Sequence, residues 1–277
     1  MLRKKVPALI LMLSILFTAC GIRPSENLSD TTYFPKDSEN IEIFATESTA
    51  LATNTETECA TDPIETLHSE LFLRDYTPEQ IIGYFEEVVL DVEYSDGTGS
   101  VNLVKKWLSP IYYKIHGSAT DTDLIILADL FEQLNSIPGF PGIYSADDIS
   151  QVNVNIYFLD RDTLRDSFYD VINGEEADGA VQFWFYTLTN ELHTARIGYC
   201  TDIDQSIRNS VLIEEIINML GITDTVLRED SITYQYSSDN TSLSAVDWVI
   251  LRLLYNPAIS CGDPAEVCDS VIRTLYY

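Results

Sequence analysis

The chain has 277 residues, with 16 Lys and Arg against 44 Asp and Glu and a formal net charge of −28 at pH 7. Lys and Arg form no cluster beyond the amino terminus, so nucleic acid is excluded as a natural ligand, because phosphate binding needs a basic face. Anionic lipid headgroups should repel such a chain as well, although the simplest interpretation of the acidity is that it keeps an exposed protein soluble.

The amino terminus has the pattern of a lipoprotein signal. The basic residues Arg3, Lys4 and Lys5 precede an apolar run, residues 6–17, that is too short to span a bilayer comfortably, and small residues then lead to Cys20. This pattern predicts a signal peptide over residues 1–19 and acylation of Cys20 after cleavage. An ordinary secretory signal and an uncleaved anchor are the alternatives.

Residues 20–67 have the composition of a disordered tether. They are rich in Ser, Thr, Glu, Asn and Asp, and their apolar residues follow no sustained period. Residues 68–277 are numerous enough for one globular domain with a well-buried core. The sequence therefore predicts an extracytoplasmic domain held to a bacterial cell membrane by the lipid on Cys20.

The globular part alternates strands and helices before helices dominate. Hydrophobic spacing and turn residues predict helices at 77–92, 121–135, 163–171 and 206–220, and strands within 107–117 and at 152–159, 180–187 and 192–200. This order indicates an α+β fold in which a twisted mixed β-sheet packs on helices.

The predicted helix 206–220 carries a narrow polar strip. Glu214 and Asn218 are four residues apart and share one face, Glu215 lies beside them, and apolar residues cover the remaining arc. The frame resembles the metzincin zinc-peptidase motif H-E-x-x-H-x-x-G-x-x-H, aligned on Gly221. In that alignment Glu214, Asn218 and Asp224 occupy the three zinc-ligand positions, and only Glu215 keeps the chemistry of its position, that of the general base.

Two later segments keep the metzincin order. The segment Ser231-Ile232-Thr233-Tyr234 resembles the turn S-I-M-Y with Thr233 in place of its methionine, and residues 243–255 resemble the closing helix that begins S-x-x-D and ends L-Y. More closely, this part resembles a bacterial family known as domain of unknown function 2927, which reads E-E-x-x-Q-x-L-G-L-x-N-D, then S-I-F, then L-L-Y-x-P-x-x-x-G-M. The departures of the chain from that pattern include Asn218, Thr223, Thr233 and Asp263.

The resemblance implies a metzincin-like fold with an antiparallel edge strand, a small C-terminal helical subdomain and lost zinc ligands. By its order in the chain, the aromatic segment Phe183-Trp184-Phe185-Tyr186 corresponds to the edge strand along which metzincins lay their peptide substrates. An exposed strand edge accepts a peptide by strand addition. The alternative is that these aromatic side chains only pack as core and rim of the sheet.

The cysteines are compatible with an exported protein. Cys261 and Cys268 flank a turn and a helix start, a loop that an oxidising cell surface could close with a disulfide. Pairing of Cys59 with Cys200 is conceivable but has no supporting pattern. No C-x-x-C spacing and no His near Cys261 or Cys268 points to a metal site.

The functional hypothesis follows from the missing ligands. The three histidines, His68, His116 and His193, are widely separated and none lies in the predicted helix, so the sequence predicts no metal and no cofactor. The favoured hypothesis is a cell-envelope lipoprotein whose pseudo-metallopeptidase domain binds an envelope peptide or protein without cleaving it. The alternatives are a carboxylate-dependent hydrolase of envelope peptides or glycans that uses Glu215, and a purely structural envelope component.

Overall fold

A six-stranded, mostly parallel sheet with helices packed on it forms the frame of the molecule. The computed structural model describes residues 76–90, 103–172, 176–236 and 239–276, so the predicted signal peptide, the lipidated Cys20 and the tether lie outside the described residues. The described ranges belong to one compact unit. No helix within them is both long enough and apolar enough to span a bilayer.

The elements follow one another as strands interleaved with helices, and three of the last four elements are helices. The helices are α1 (Pro78–Leu90), α2 (Asp121–Asn135), α3 (Arg161–Ser167), α4 (Tyr169–Ile172), α5 (Gln205–Met219), α6 (Ala245–Leu254) and α7 (Ala265–Tyr276). The strands are β1 (Lys106–Trp107), β2 (Ile111–Gly117), β3 (Ile143–Ser145), β4 (Val154–Leu159), β5 (Gly179–Phe185) and β6 (Glu191–Cys200).

The sheet has the strand order β1-β6-β4-β2-β3, and β5 also pairs with β6. Every pairing on this path is parallel, whereas β5 runs antiparallel to β6. Side chains alternate along each strand, so β4 buries Val154, Ile156 and Phe158 in the main core. We call this side of the sheet the inner face; the side that carries Asn155 and Tyr157 is the outer face.

The main core lies between the inner face and the helices. Helix α5 packs on α2, β5 and β6, and its Leu212 and Ile216 are fully buried. A smaller apolar cluster forms where α3 and α4 cover one end of the outer face. There, a Cβ on Gly198 would lie 2.4 Å from the Leu164 side chain and 2.6 Å from the ring of Phe168, so only glycine lets the helices approach this closely.

The structure confirms the predicted mixed sheet packed with helices, and most of its neighbouring strands are parallel. Helix α2 has the predicted bounds, because Thr120 and Asp123 form a capping box at its start. The single helix predicted at 163–171 was wrong: it is divided at Phe168, whose dihedral angles of φ −113° and ψ 24° interrupt it. The strand predicted within 107–117 is likewise divided into β1 and β2, and β3 was not predicted.

Gly221 ends α5 by a turn that only glycine accommodates easily. Its φ is +101°, and a Cβ at this position would lie 2.3 Å from the main-chain oxygen of Lys105. We therefore expect Gly221→Ala to lower the free energy of unfolding by about 1–3 kcal/mol, measured by urea denaturation. Gly83→Ala is the matched control: a Cβ there meets nothing within 4 Å, and alanine in the helix should stabilise by about 0.5–1 kcal/mol. Equal losses in both variants would contradict the role assigned to Gly221.

Candidate functional site

The polar strip of α5 is buried beneath the sheet. Glu214, Glu215 and Asn218 are 6%, 5% and 4% exposed, and their neighbours in the helix are apolar. Burying two adjacent carboxyl groups costs folding free energy, because a charge removed from water must be compensated by hydrogen-bond or charge partners. Such an arrangement marks this part of the fold as the first candidate for a site.

Two of the three predicted ligand positions come together. The Asn218 Nδ2 donates a hydrogen bond to Asp224 Oδ1 at 3.0 Å, across the turn made by Gly221. The other amide atom, Asn218 Oδ1, is buried and accepts no hydrogen bond from the described part of the chain. Glu214 lies one turn earlier on the same helix. The side chains at the second and third aligned positions thus bond to each other directly.

Glu215 points toward the start of β5. A Cβ on Gly179 would lie 2.7 Å from Glu215 Oε1 and 2.4 Å from Val211 Cγ1, so strand and helix are in close contact here. The hydroxyl of Tyr199, on β6, donates to the main-chain oxygen of Leu212 at 2.9 Å. Burial, followed by the nearby charge of Glu215, raises the pKa of Tyr199 well above its ordinary value. The tyrosine therefore stays protonated beside the carboxyl groups.

The α1 helix fixes the loop that carries Asp224. Glu87 Oε1 accepts hydrogen bonds from Thr225 Oγ1 at 2.8 Å and from the Val226 N–H at 2.9 Å. The Thr223 N–H donates to the main-chain oxygen of Val88 at 2.7 Å. Sequence reasoning missed this contribution, since Glu87 is 138 residues from Thr225 and nothing in its local pattern marks it.

The turn Ser231-Ile232-Thr233-Tyr234 is held against α6 by Asp247. Ser231 Oγ donates to Asp247 Oδ1 at 2.7 Å, and the Ile232 N–H donates to Oδ2 at 3.1 Å. The hydroxyl of Tyr84 reaches the same carboxylate at 3.1 Å. Burial, reinforced by the charge of Asp247, raises the pKa of Tyr84 well above its ordinary value. The S-x-x-D signal of the closing helix marks Asp247, but no signal pointed to Tyr84.

The aromatic segment around β5 divides between the two faces of the sheet. Phe183 and Phe185 are half-buried against the main core on the inner face. Trp184 is 38% exposed on the outer face, and Tyr186, just beyond the strand, is 54% exposed. The ring of Tyr186 stacks on His193 with centroids 4.2 Å apart. Part of the segment is thus core, and part is available to a ligand.

The main-chain groups of β5 alternate in direction along its ladder with β6. The Cys200 N–H donates to the Asp178 oxygen at 2.9 Å, which fixes the alternation of the antiparallel ladder. Gln182 therefore directs its N–H and C=O toward β6, whereas Val181 and Phe183 direct theirs away from it. Among the described residues, β6 is the strand that pairs with β5, and no other does.

The described histidines do not join the α5 cluster. His116 Nε2 lies 2.9 Å from Asn155 Oδ1 on the outer face, His193 stacks on Tyr186, and His68 is outside the described residues. Within the described ranges, no three His, Cys, Asp or Glu side chains are grouped so that they could hold a metal ion.

The structure has Cys200, Cys261 and Cys268 as free thiols, and the Cys261–Cys268 disulfide stays a prediction. Cys268 is fully buried, and burial raises its pKa to about 12. In protein purified with its thiols reduced, we expect iodoacetamide at pH 8 to alkylate the partly exposed Cys261 well before Cys268. Peptide mass spectrometry measures the order. Faster labelling of Cys268 would contradict its burial, and an oxidised sample in which neither thiol labels would establish the disulfide.

Together, the fold and the site define an α/β domain in which a buried acidic helix lies beneath a mostly parallel sheet. A family model described as protein of unknown function (DUF2927) matches residues 78–274, and the chain belongs to this family. Neither a curated protein nor a solved structure matches the chain.

Proposed function

We propose that this chain is a cell-envelope lipoprotein with a metzincin-like, non-catalytic domain that holds an extended peptide or protein segment along β5. The observation that carries the proposal is the outward direction of the main chain at Val181 and Phe183. A peptide that adds as a further strand would bond to these groups, and its side chains would reach Trp184 and Tyr186 at the rim. In this arrangement β5 is the edge strand of the sheet.

The α5 cluster supports a non-catalytic domain. Zinc hydrolysis needs three protein ligands and an open position, and the metzincin frame supplies histidines for this. Here the amide of Asn218 and the carboxylate of Asp224 bond to each other, which favours a structural role for the two residues aligned with metzincin ligands. The buried helix then serves as the support on which β5 rests, through the contact of Gly179 with Glu215.

The experiment uses the mature chain with Cys20→Ser and a phage-displayed library of random peptides. Selected peptides should slow amide hydrogen exchange at Val181 and Phe183, because those N–H groups become bonded, and should change Gln182 little, because its N–H already bonds to β6. They should be recovered uncleaved. Protection confined to other parts of the fold, or a library that yields no binder, would remove the proposal.

A hydrolase is the second candidate, and the adjacent burial of Glu214 and Glu215 beside Tyr199 is the observation that favours it. Neighbouring buried carboxyl groups can separate their pKa values and share acid and base roles. Cleavage of envelope peptides or glycans that Glu215→Gln abolishes, without unfolding the protein, would establish this function. Cleavage unchanged in Glu215→Gln would eliminate the role of that residue.

The localisation proposal rests on the amino-terminal pattern and has its own test. Cys20→Ser should release the domain from membranes or leave an unprocessed precursor, since a polar tether cannot hold the protein by itself. Cell fractionation and the mass of the mature amino terminus measure this. Normal processing together with unchanged membrane association would count against lipidation.

A further inference from the structure

Two cross-strand rows of side chains run over the outer face of the sheet. The strand registers align one row as Tyr144, Tyr112, Asn153, Thr194 and Trp184. They align the next row as Lys114, Asn155, Arg196 and Gln182. Helices α3 and α4 cover the far end of this face, where the Arg196 guanidinium lies 4.7 Å from the ring centroid of Phe168. Beyond that end Tyr144 is 49% exposed, Lys114 is exposed, and Asn155 and Gln182 are partly exposed. The longer row crosses five strands, about 19 Å.

The second row contains two cations that have no acidic partner in the described parts of the chain. Five other arginines form ion pairs with carboxylates in the described ranges: Arg161, Arg165, Arg208, Arg228 and Arg273. Lys106 donates to main-chain oxygens. Lys114 and Arg196 form no ion pair with a described carboxylate. They stand two strands apart, with about 9.5 Å between their Cα atoms. The six strands contain a single acid, Glu191, at the first position of β6. Among the strand side chains, the middle of this face therefore carries two cations in a chain of net charge −28.

Two acceptors of this row are already engaged, one by Arg196 within the row and one by His116 beside it. Asn155 Oδ1 is within hydrogen-bond distance of His116 Nε2 at 2.9 Å, and Gln182 Oε1 accepts from Arg196 Nε at 2.8 Å. What remains is a line of donors: Lys114 Nζ, Asn155 Nδ2, the Arg196 Nη groups and Gln182 Nε2. Such a line suits an oxygen-rich, anionic ligand.

The flanking row indicates which kind of anion fits. Its aromatic ends, Tyr112 with Tyr144 and Trp184, offer flat apolar surfaces with polar edges, suited to the faces of sugar rings. A peptide gains affinity from main-chain hydrogen bonds at a strand edge, whereas the main chain on this face is already bonded within the ladders. Nucleic acid is disfavoured, because two cations in a strongly acidic chain cannot neutralise a closely spaced row of phosphates.

We propose that the outer face binds an acidic polysaccharide, a glycan chain with carboxylates held by Lys114 and Arg196 and with sugar rings stacked on Tyr112 and Trp184. Asn155 and Gln182 would donate to its hydroxyl or carboxylate oxygens. This site shares Trp184 with the proposed peptide edge of β5, but it uses side chains on the face of the sheet, whereas the peptide would bond to the main chain of Val181 and Phe183. Either proposal therefore stands if the other fails.

The test is a titration of the mature Cys20→Ser chain with oligogalacturonate, followed by calorimetry. The acidic oligosaccharide should bind, and its carboxyl-reduced, neutral form should bind at least about tenfold more weakly. Lys114→Gln with Arg196→Gln should weaken binding of the acidic form by about tenfold or more. Trp184→Ala should weaken both forms. Arg273→Gln, which removes an exposed charge on α7, is the control and should change neither.

Each other outcome counts against the proposal. If Arg273→Gln weakens binding as much as the outer-face variants, only the overall charge matters. Equal affinity for poly-glutamate would assign the face to acidic peptides, and equal affinity for single-stranded DNA would make it a general polyanion surface. No binding of oligogalacturonate to a chain with an unchanged circular dichroism spectrum would overturn it.

Discussion

Replacing Asp247 by alanine should destabilise the fold by about 3–5 kcal/mol, one of the largest losses expected for a single change in this chain, because it removes the acceptor of a buried hydrogen-bond network. The carboxylate is buried and receives four hydrogen bonds. The donors are the Tyr84 hydroxyl, the Ser231 hydroxyl and the N–H groups of Ile232 and Ser244. Without this acceptor the Ile232 N–H and the Ser231 hydroxyl lose a buried partner, at about 1–3 kcal/mol each before the structure relaxes. Tyr84 can still bond to Ser231, and the Ser244 N–H is partly exposed.

Urea denaturation of the purified chain measures the loss, and Ser244→Ala is its control. That variant removes the hydroxyl that caps α6 at the Asp247 N–H but keeps the carboxylate, so it should lose only about 1 kcal/mol. Tyr84→Phe, which removes one donor and leaves the acceptor satisfied by the others, should also lose little. If Asp247→Ala is no more destabilised than Ser244→Ala, the carboxylate does not hold the turn to the helix.

The elements that the sequence predicted well are those specified by local chemistry. Helix α2 begins at a capping box formed by Thr120 and Asp123, residues three apart that can bond without any tertiary contact. Asn218 and Asp224 also come together for local reasons, because the helix and the turn at Gly221 lie between them. Periodicity and turn residues contain this information directly.

The elements that the sequence did not predict depend on tertiary contacts. Strand β3 has three residues, too few to show a period, and Asn135 positions it by bonding to both main-chain groups of Ile143. The break at Phe168 leaves its ring packed against Gly198 on β6. Neither contact is visible in a local window of sequence, since each depends on how distant strands and helices assemble.

The same distinction applies to the candidate sites. The alternation of β2, β4 and β6 indicates which residues leave the core, but the alignment of Lys114 with Asn155 and Arg196 depends on the strand register, which the sequence does not state. Tyr84 and Glu87 likewise act on segments more than a hundred residues away. A sequence pattern can predict a polar strip on one helix. A surface assembled from several strands can be recognised only once the fold is known.

The buried ion pair between Arg208 on α5 and Asp123 on α2 should give a comparable loss when it is broken from one side. Arg208 Nε lies 2.9 Å from Asp123 Oδ1, and the Asp123 side chain is fully buried. Arg208→Met leaves that carboxylate without its cation, and we expect about 3–5 kcal/mol less stability. Asp123→Leu combined with Arg208→Met removes both charges and should recover part of the loss, less about 1 kcal/mol for the capping box at Thr120. Urea denaturation measures all three proteins.

The pair also predicts a pH dependence with a defined sign. Burial by itself would raise the pKa of Asp123, but hydrogen bonds from Gln205, the Thr120 main chain and Arg208 together lower it. A lowered folded-state pKa means that the contribution is fully present above the ordinary pKa of the carboxyl group and is lost as pH falls through the folded value. The stability difference between the wild type and Asp123→Asn should therefore be constant near neutrality and shrink in acid.

The exposed pair of Arg273 with Glu79 is the control, and Glu79→Gln should change stability little at any pH. A difference between wild type and Asp123→Asn that grows as the solution is acidified would show that Asp123 is protonated in the folded protein.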